Sequence, residues 1–421
     1  MQENRDNLKE SEEKRKKIIF FGHFGTLNFG NESTFEAILY HLRRFLADVE
    51  VGCVCSGPEA LAAAHSIEAV AISSMVVKPS RLRNPVVRFL RKVFVGIPVE
   101  LYRWLEVFKT LKGTDTFMVP GTGLLTDAYG LSRWGPYNLF KWTAIAKLRG
   151  CKVLFVSVGA GPIYGVLGRW LVRSALALAD FRSYRDRSSL EWVKQIGLRV
   201  SCDRIYPDLV FSLPETKIPR ATRKNGDRCV VGIGLMEYAG RYSVPNPSDE
   251  TYPSYLETLV LFVKWLVAHE YNVRLLMADD QDWLTAREFK SLLKTRVPGL
   301  DEHRIADDPA ECVGQLLSQL AATDLVVATR FHNILFALLL EKPVISISFH
   351  HKCSSLMREM GLSEYCHDIN ELSGHGLIES FHALENDAEK MKLTIRTKVR
   401  GSRMALDEQY NLIFNGILGG R

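Results

Sequence analysis

Short, nearly unbroken apolar runs recur along this chain, each closed by a glycine-bearing or polar turn and then by a stretch with helical spacing, and that alternation leaves few folds open. Lys17 to Gly22, Val49 to Cys55, Ile67 to Ile72, Asp115 to Val119 and Cys151 to Val158 read as strands. Runs of that kind belong in parallel sheets covered by helices on both sides. The pattern stops between Pro214 and Asp227, where the chain turns polar and proline-containing, and restarts with Cys229 to Leu235, Asn272 to Met277, Leu325 to Ala328 and Pro343 to Phe349. A chain of 421 residues exceeds what one core usually serves. The expected fold class is therefore α/β, with two doubly wound, Rossmann-like domains facing a cleft. The expected boundaries are a disordered lead-in over 1–16, a first domain over 17–213, a linker over 214–227, a second domain over 228–387, and a C-terminal helix over 388–421 that packs back on the first domain.

Composition narrows the partners more than the fold. The formal net charge of +6 is mild for this length, and the basic residues lack the aromatic interleaving of a nucleic-acid surface. No nucleic-acid partner is expected. Met1 to Lys17 is a run of mixed charge without an apolar core, unlike a secretory signal, and no stretch approaches the roughly 20 apolar residues of a membrane span. A cytoplasmic location follows as the expectation. The eight cysteines are scattered through apolar segments without paired CxxC clusters, so they read as free thiols, and no metal site is expected. Lys78 to Lys92 contains six basic residues and no acidic one, with apolar residues between them continuing to Phe94. Residues 78–94 suit two readings, a peripheral contact with an anionic membrane face and a plainly solvated helix whose arginines snorkel.

Candidate site residues gather at the carboxyl ends of the expected strands, where ligands bind in open α/β sheets. After the first strand come Gly25 and Asn28, with Ser33 expected to cap a helix from Thr34 to Ala47. After the fourth comes Pro120-Gly121-Thr-Gly123, glycines that let backbone N–H groups approach an anion. Arg185 and Asp186 end another strand, with Ser188 expected to cap the helix that follows. Between the run Leu325–Ala328 and the helical stretch Asn333–Leu340 lie Thr329, Arg330 and His332, and the next strand ends in His350-His351-Lys352. Arginine grips carboxylate or phosphate bidentately, lysine adds a compact charge, and histidine moves protons near neutrality. Neighbouring strand ends carrying all three suit an anionic substrate and proton transfer.

These segments also carry a resemblance. Gly22-His-Phe-Gly25-Thr-Leu-Asn28-Phe-Gly30, Pro120-Gly121-Thr-Gly123-Leu-Leu-Thr-Asp127, Ser157-Val-Gly159-Ala-Gly161-Pro162, Tyr184-Arg185-Asp186-Arg-Ser-Ser189, Tyr206-Pro207-Asp208 and above all Thr329-Arg330-Phe331-His332, with Pro343 and Lys352 downstream, resemble the polysaccharide pyruvyl transferase family in family order. The resemblance implies a GT-B-like fold, phosphoenolpyruvate as donor substrate with no further cofactor, and a saccharide acceptor that in this family is often lipid-linked. The implied product is a pyruvate ketal on two sugar hydroxyls, with release of phosphate. It implies His332 as the catalytic acid–base, Arg185, Arg330 and Lys352 as the clamp on the donor's negative charges, and Gly25, Asn28, Gly121 and Gly123 as substrate-binding loop positions. This chain has Gly30-Asn31-Glu32 where the family commonly has Gly-Asp-Glu. Two other readings use the same cleft: a GT-B-like glycosyltransferase taking a nucleotide sugar, and a non-catalytic glycan-assembly protein.

Overall fold

The computed structural model describes residues 15–73, 92–127, 135–220, 228–237 and 250–419. Residues 1–14 of the expected lead-in, 78–91 of the basic segment and 221–227 of the expected linker lie outside the described residues. Strands β1 (Lys16–Gly22), β2 (Val49–Cys55), β3 (Glu68–Ala71), β4 (Thr116–Pro120), β5 (Lys152–Val158), β6 (Phe181–Tyr184) and β7 (Arg204–Ile205) form one sheet in the order β3-β2-β1-β4-β5-β6-β7. A second sheet runs β10-β9-β8-β11-β12-β13, from β8 (Val230–Gly234), β9 (Asn272–Leu276), β10 (Ile305–Ala306), β11 (Leu325–Ala328), β12 (Val344–Ser348) and β13 (Cys366–Asp368). Adjacent strands in both sheets pair in parallel. The chain is thus two doubly wound α/β domains. Every residue of β4 and of β12 is buried, as continuous apolar runs require when helices cover both faces.

Strand order reverses between β1 and β4 in the first sheet and between β8 and β11 in the second. At such a reversal the flanking loops diverge to opposite faces and leave a crevice. The loop after β1, the Gly121–Gly123 turn after β4, and the turn from β11 into the helix Phe331–Leu339 all lie at these positions. The helix Gly374–Tyr410, 37 residues and about 55 Å long, ties the two domains together. Near its start Phe381 packs against Phe262 of the second domain, with ring centroids 5.5 Å apart. At its end Tyr410 stacks on His41 of the first at 4.2 Å and its hydroxyl lies 2.7 Å from the Ser212 hydroxyl.

Helix starts differ from the sequence expectations, and each difference has a local cause. The first helix spans Phe29–Phe45, capped by Asn28, whose side chain accepts from the Asn31 N–H at 3.1 Å. Ser33, expected to be the cap, is buried inside the helix and donates to the Gly30 carbonyl at 2.9 Å. The helix Arg187–Gln195 is capped by Asp186, which accepts from the Ser189 N–H at 2.6 Å, so Ser188 lies within its first turn. His350 caps the helix His351–Glu359, which places Lys352 in that helix. Arg330 is itself the capping position of the helix Phe331–Leu339, and His332 belongs to its first turn.

Candidate active site

The site is built from the second domain's switch point, closed over by the first helix of the first domain. Direct contacts bring the domains together there. The Phe29 N–H donates to the Ala278 carbonyl at 3.1 Å, the Asn28 amide donates to the Asp279 carboxylate at 2.7 Å, and the Gly30 backbone abuts the His332 imidazole. A Cβ on Gly30 would stand 2.0 Å from Nδ1 of that ring, so no side chain fits while the domains keep this arrangement. Gly30→Ala is therefore expected to push the imidazole aside or hold the cleft apart, lowering turnover about 10²-fold as ångström-scale misplacements do. Steady-state rates decide it, and a variant as fast as the wild type would show that this contact does not constrain the ring.

Around His332 stand three cations. Parallel pairing of β11 with β12 sets the two strand ends side by side, and so brings Lys352 near the Arg330–His332 turn. The Phe331 ring carries both other cations: the Arg185 guanidinium lies 4.7 Å from its centroid and the Lys352 ammonium 5.5 Å. Arg185 also donates to Asp208 at 3.1 Å and lies 3.5 Å from Asp186. Arg330 is gripped bidentately by Asp282, with Nε–Oδ1 2.9 Å, Nε–Oδ2 3.0 Å and Nη2–Oδ1 2.6 Å, and Asp282 accepts a further N–H from Glu237 at 3.0 Å. Burial and then Lys352, Arg185 and Arg330 hold the His332 imidazole well below its ordinary range, which leaves it neutral at physiological pH. His350 is pushed down to about 2, by burial first and by Lys352 next.

Beside Phe331 opens a cleft of about 510 Å³, its mouth included, lined among others by Arg185, Asp208, Phe331, Lys352, Glu359 and Lys398. Burial, then Asp186, raise the Glu359 carboxyl to about 7, so it exchanges a proton near neutrality. The glycine-rich turn is joined to this wall through β5. Gly159 donates to the Thr122 carbonyl at 3.0 Å and lies against the Arg185 guanidinium, where a Cβ would approach within 2.8 Å. Gly121 abuts the Ser157 carbonyl, whereas a Cβ on Gly123 would meet open space. Gly25, with φ of +74°, packs against the Gly57 backbone and donates to Glu32 at 2.7 Å.

The structure thus gathers Arg185, Arg330, His332 and Lys352 into one cluster, with Asn28 joined to its rim through Asp279, whose carboxylate is 4.0 Å from Arg330. Gly25 serves the first loop's own geometry. Sequence reading did not single out Gly30, Asp279, Asp282 or Glu359. The acidic run Asp279-Asp280-Gln-Asp282 at the end of β9 was the available signal for two of them, since a strand end with three carboxylates needs either solvent or a partner cation. Glu359, at a helix end, carried no such signal.

The two-domain architecture is that of several solved enzymes. A putative UDP-N-acetylglucosamine 2-epimerase from Listeria monocytogenes superposes with a TM-score of 0.63 at 10% identity over 97% of this chain and 98% of that one. The UDP-GlcNAc 2-epimerase from Neisseria meningitidis bound to UDP-GlcNAc gives 0.59 at 12% identity over 96% and 100%. A glycosyltransferase from Rickettsia africae gives 0.59 at 11% over 97% and 100%. These neighbours define the GT-B fold class. No curated protein sequence matches the chain significantly. The profile of the polysaccharide pyruvyl transferase family matches residues 28–351, from the Asn28 cap to the start of the helix bearing Lys352, and the chain belongs to that family. It is a transferase of polysaccharide biosynthesis.

Proposed function

We propose that the enzyme transfers the enolpyruvyl unit of phosphoenolpyruvate to a glycan and closes it as a pyruvate ketal. The observation that carries this reading is the convergence of Arg185, Arg330 and Lys352 around a neutral His332 at a switch-point crevice. A donor with a carboxylate and a phosphate meets cations there. His332, unprotonated before substrate arrives, acts first as base: it takes the proton of one sugar hydroxyl as that oxygen bonds to C2 of the enolpyruvate. C3 gains a proton, phosphate leaves C2, and the second hydroxyl closes the ring and gives up its own proton. Glu359, near neutrality in the adjoining cleft, is a second proton carrier. The scheme calls for no metal or cofactor. Asn28, Asp279 and the rim of the first domain face the acceptor.

The acceptor proposed here is a lipid-linked glycan, met at the cytoplasmic face of a membrane. Among the described residues no helix is long and apolar enough to cross a bilayer, so such contact would be peripheral. The decisive experiment measures phosphate release from phosphoenolpyruvate against galactosides, mannosides and N-acetylhexosamines, free and lipid-linked, with calorimetry of donor binding alongside. Release dependent on one acceptor supports the reading. Tight binding of UDP- or GDP-sugars with none of phosphoenolpyruvate would establish the glycosyltransferase alternative instead.

A further inference from the structure

The helix Ile97–Thr110 departs from the rule that the apolar face of a surface helix turns inward. Phe94, Ile97, Leu101, Leu105 and Phe108 recur at helical spacing, and all five point to solvent, with Phe94 72%, Leu101 61% and Leu105 59% exposed. The inward side of the same helix holds Glu100 and Arg103. Glu100 pairs with Arg103 at 2.9 Å and with the buried Lys141 at 3.0 Å, while Val107 enters the core. A monomeric soluble protein rarely leaves a contiguous apolar stripe of this length bare, so the stripe has a partner.

Charge says which partner. The solvent face of this helix shows no acidic side chain: its two carboxylates, Glu100 and Glu106, are only partly exposed, and Lys109 is the charged residue on the open side. Beyond Phe108 the surface becomes strongly basic. The Arg149 guanidinium sits 4.3 Å from the Phe108 ring, and Arg149 shares a surface hollow with Lys16, Lys112 and Lys152, in which Asp115 is the acidic residue. The same layer of helices carries exposed Leu167 and Trp170, the latter against Phe140 at 5.5 Å. Apolar side chains in a row with aromatic and cationic borders match the boundary between acyl chains and anionic headgroups.

We propose that the face formed by Phe94, Ile97, Leu101, Leu105 and Phe108, with Lys109, Lys112 and Arg149 at its border, docks the enzyme on an anionic lipid bilayer. The acyl boundary takes the stripe and the headgroups take the cations. This surface rests on the exposed helix and its charge, and not on the identity of the donor or acceptor.

The test is co-sedimentation of the full-length protein with vesicles of phosphatidylcholine alone or with about a third phosphatidylglycerol. Wild-type protein is expected to pellet with the anionic vesicles and to be released by high salt. Leu101→Glu with Leu105→Glu, both at exposed positions, is expected to cut the bound fraction at least ten-fold with unchanged far-UV circular dichroism. Lys112→Glu is expected to weaken binding and to flatten its salt dependence. A wild type that stays in the supernatant, or a double variant that pellets equally, would overturn the proposal. So would light scattering that shows a dimer dissolved by the double variant, which would assign the stripe to a second copy of the chain.

Discussion

His332→Gln is expected to lower the rate of phosphate release by about 10²–10⁴-fold while phosphoenolpyruvate still binds within a few-fold of wild type. Glutamine keeps much of the imidazole's volume and a hydrogen-bonding end but cannot carry a proton at neutral pH. The ring is held beneath its ordinary range because it is enclosed and because Lys352, Arg185 and Arg330 surround it. A donor bearing two anionic groups offsets those cations, so its binding is expected to raise the His332 titration midpoint toward neutrality. The sign matters for the mechanism. Without donor the histidine is a poor proton acceptor, which spares the empty site from being locked as an imidazolium. With donor its basicity rises and it can take the hydroxyl proton. Nuclear magnetic resonance of labelled histidine, assigned by loss of one signal in His332→Gln, reads the shift directly. A midpoint that does not move on adding phosphoenolpyruvate, or a variant that turns over normally, would remove His332 from the proton-transfer role.

How much of this was legible in the sequence depended on whether a residue's partner was local. Strands such as β4 and β12, buried on both faces, announce themselves as unbroken apolar runs, and the adjacency of β11 and β12 follows from chain order, so the approach of Lys352 to His332 could be anticipated. The edge strands β7, β10 and β13, two or three residues long, leave no periodicity to read. Asn28 was visible as a loop residue but not as a cap, because Phe29 and Gly30 resemble loop rather than helix. What makes them helical lies in the other domain: Ala278 accepts the Phe29 N–H and His332 occupies the space a side chain at Gly30 would need. In the same way the stripe from Phe94 to Phe108 has the spacing of a buried face, and only the packing shows that it points outward. Local patterns specify elements; contacts hundreds of residues apart specify the site.

Arg330→Ala is expected to destabilise the second domain by about 3–5 kcal/mol, the penalty for leaving a buried charge without its partner. Asp282 is fully buried, and three of the hydrogen bonds to its carboxylate come from the Arg330 guanidinium. Burial already drives that carboxyl upward and Arg330 opposes the drive, so removing the guanidinium leaves the carboxyl protonated or unfolds its surroundings. Against a typical total of 5–15 kcal/mol such a loss is large. The sequence-level expectation, that this arginine acts on the donor, and the structural one, that it first anchors the His332 turn, give different patterns across a small set of variants. Arg330→Met combined with Asp282→Leu replaces the pair by apolar groups of similar bulk, and is expected to recover most of the stability, as replacement of buried ion pairs often does. If the arginine also holds the donor, the recovered double variant still binds phosphoenolpyruvate weakly; if it only anchors the turn, binding returns with the fold. Urea denaturation and calorimetry on the three proteins separate the roles. An Arg330→Ala protein as stable as wild type would refute the anchoring role outright, since no other described cation approaches Asp282 as Arg330 does.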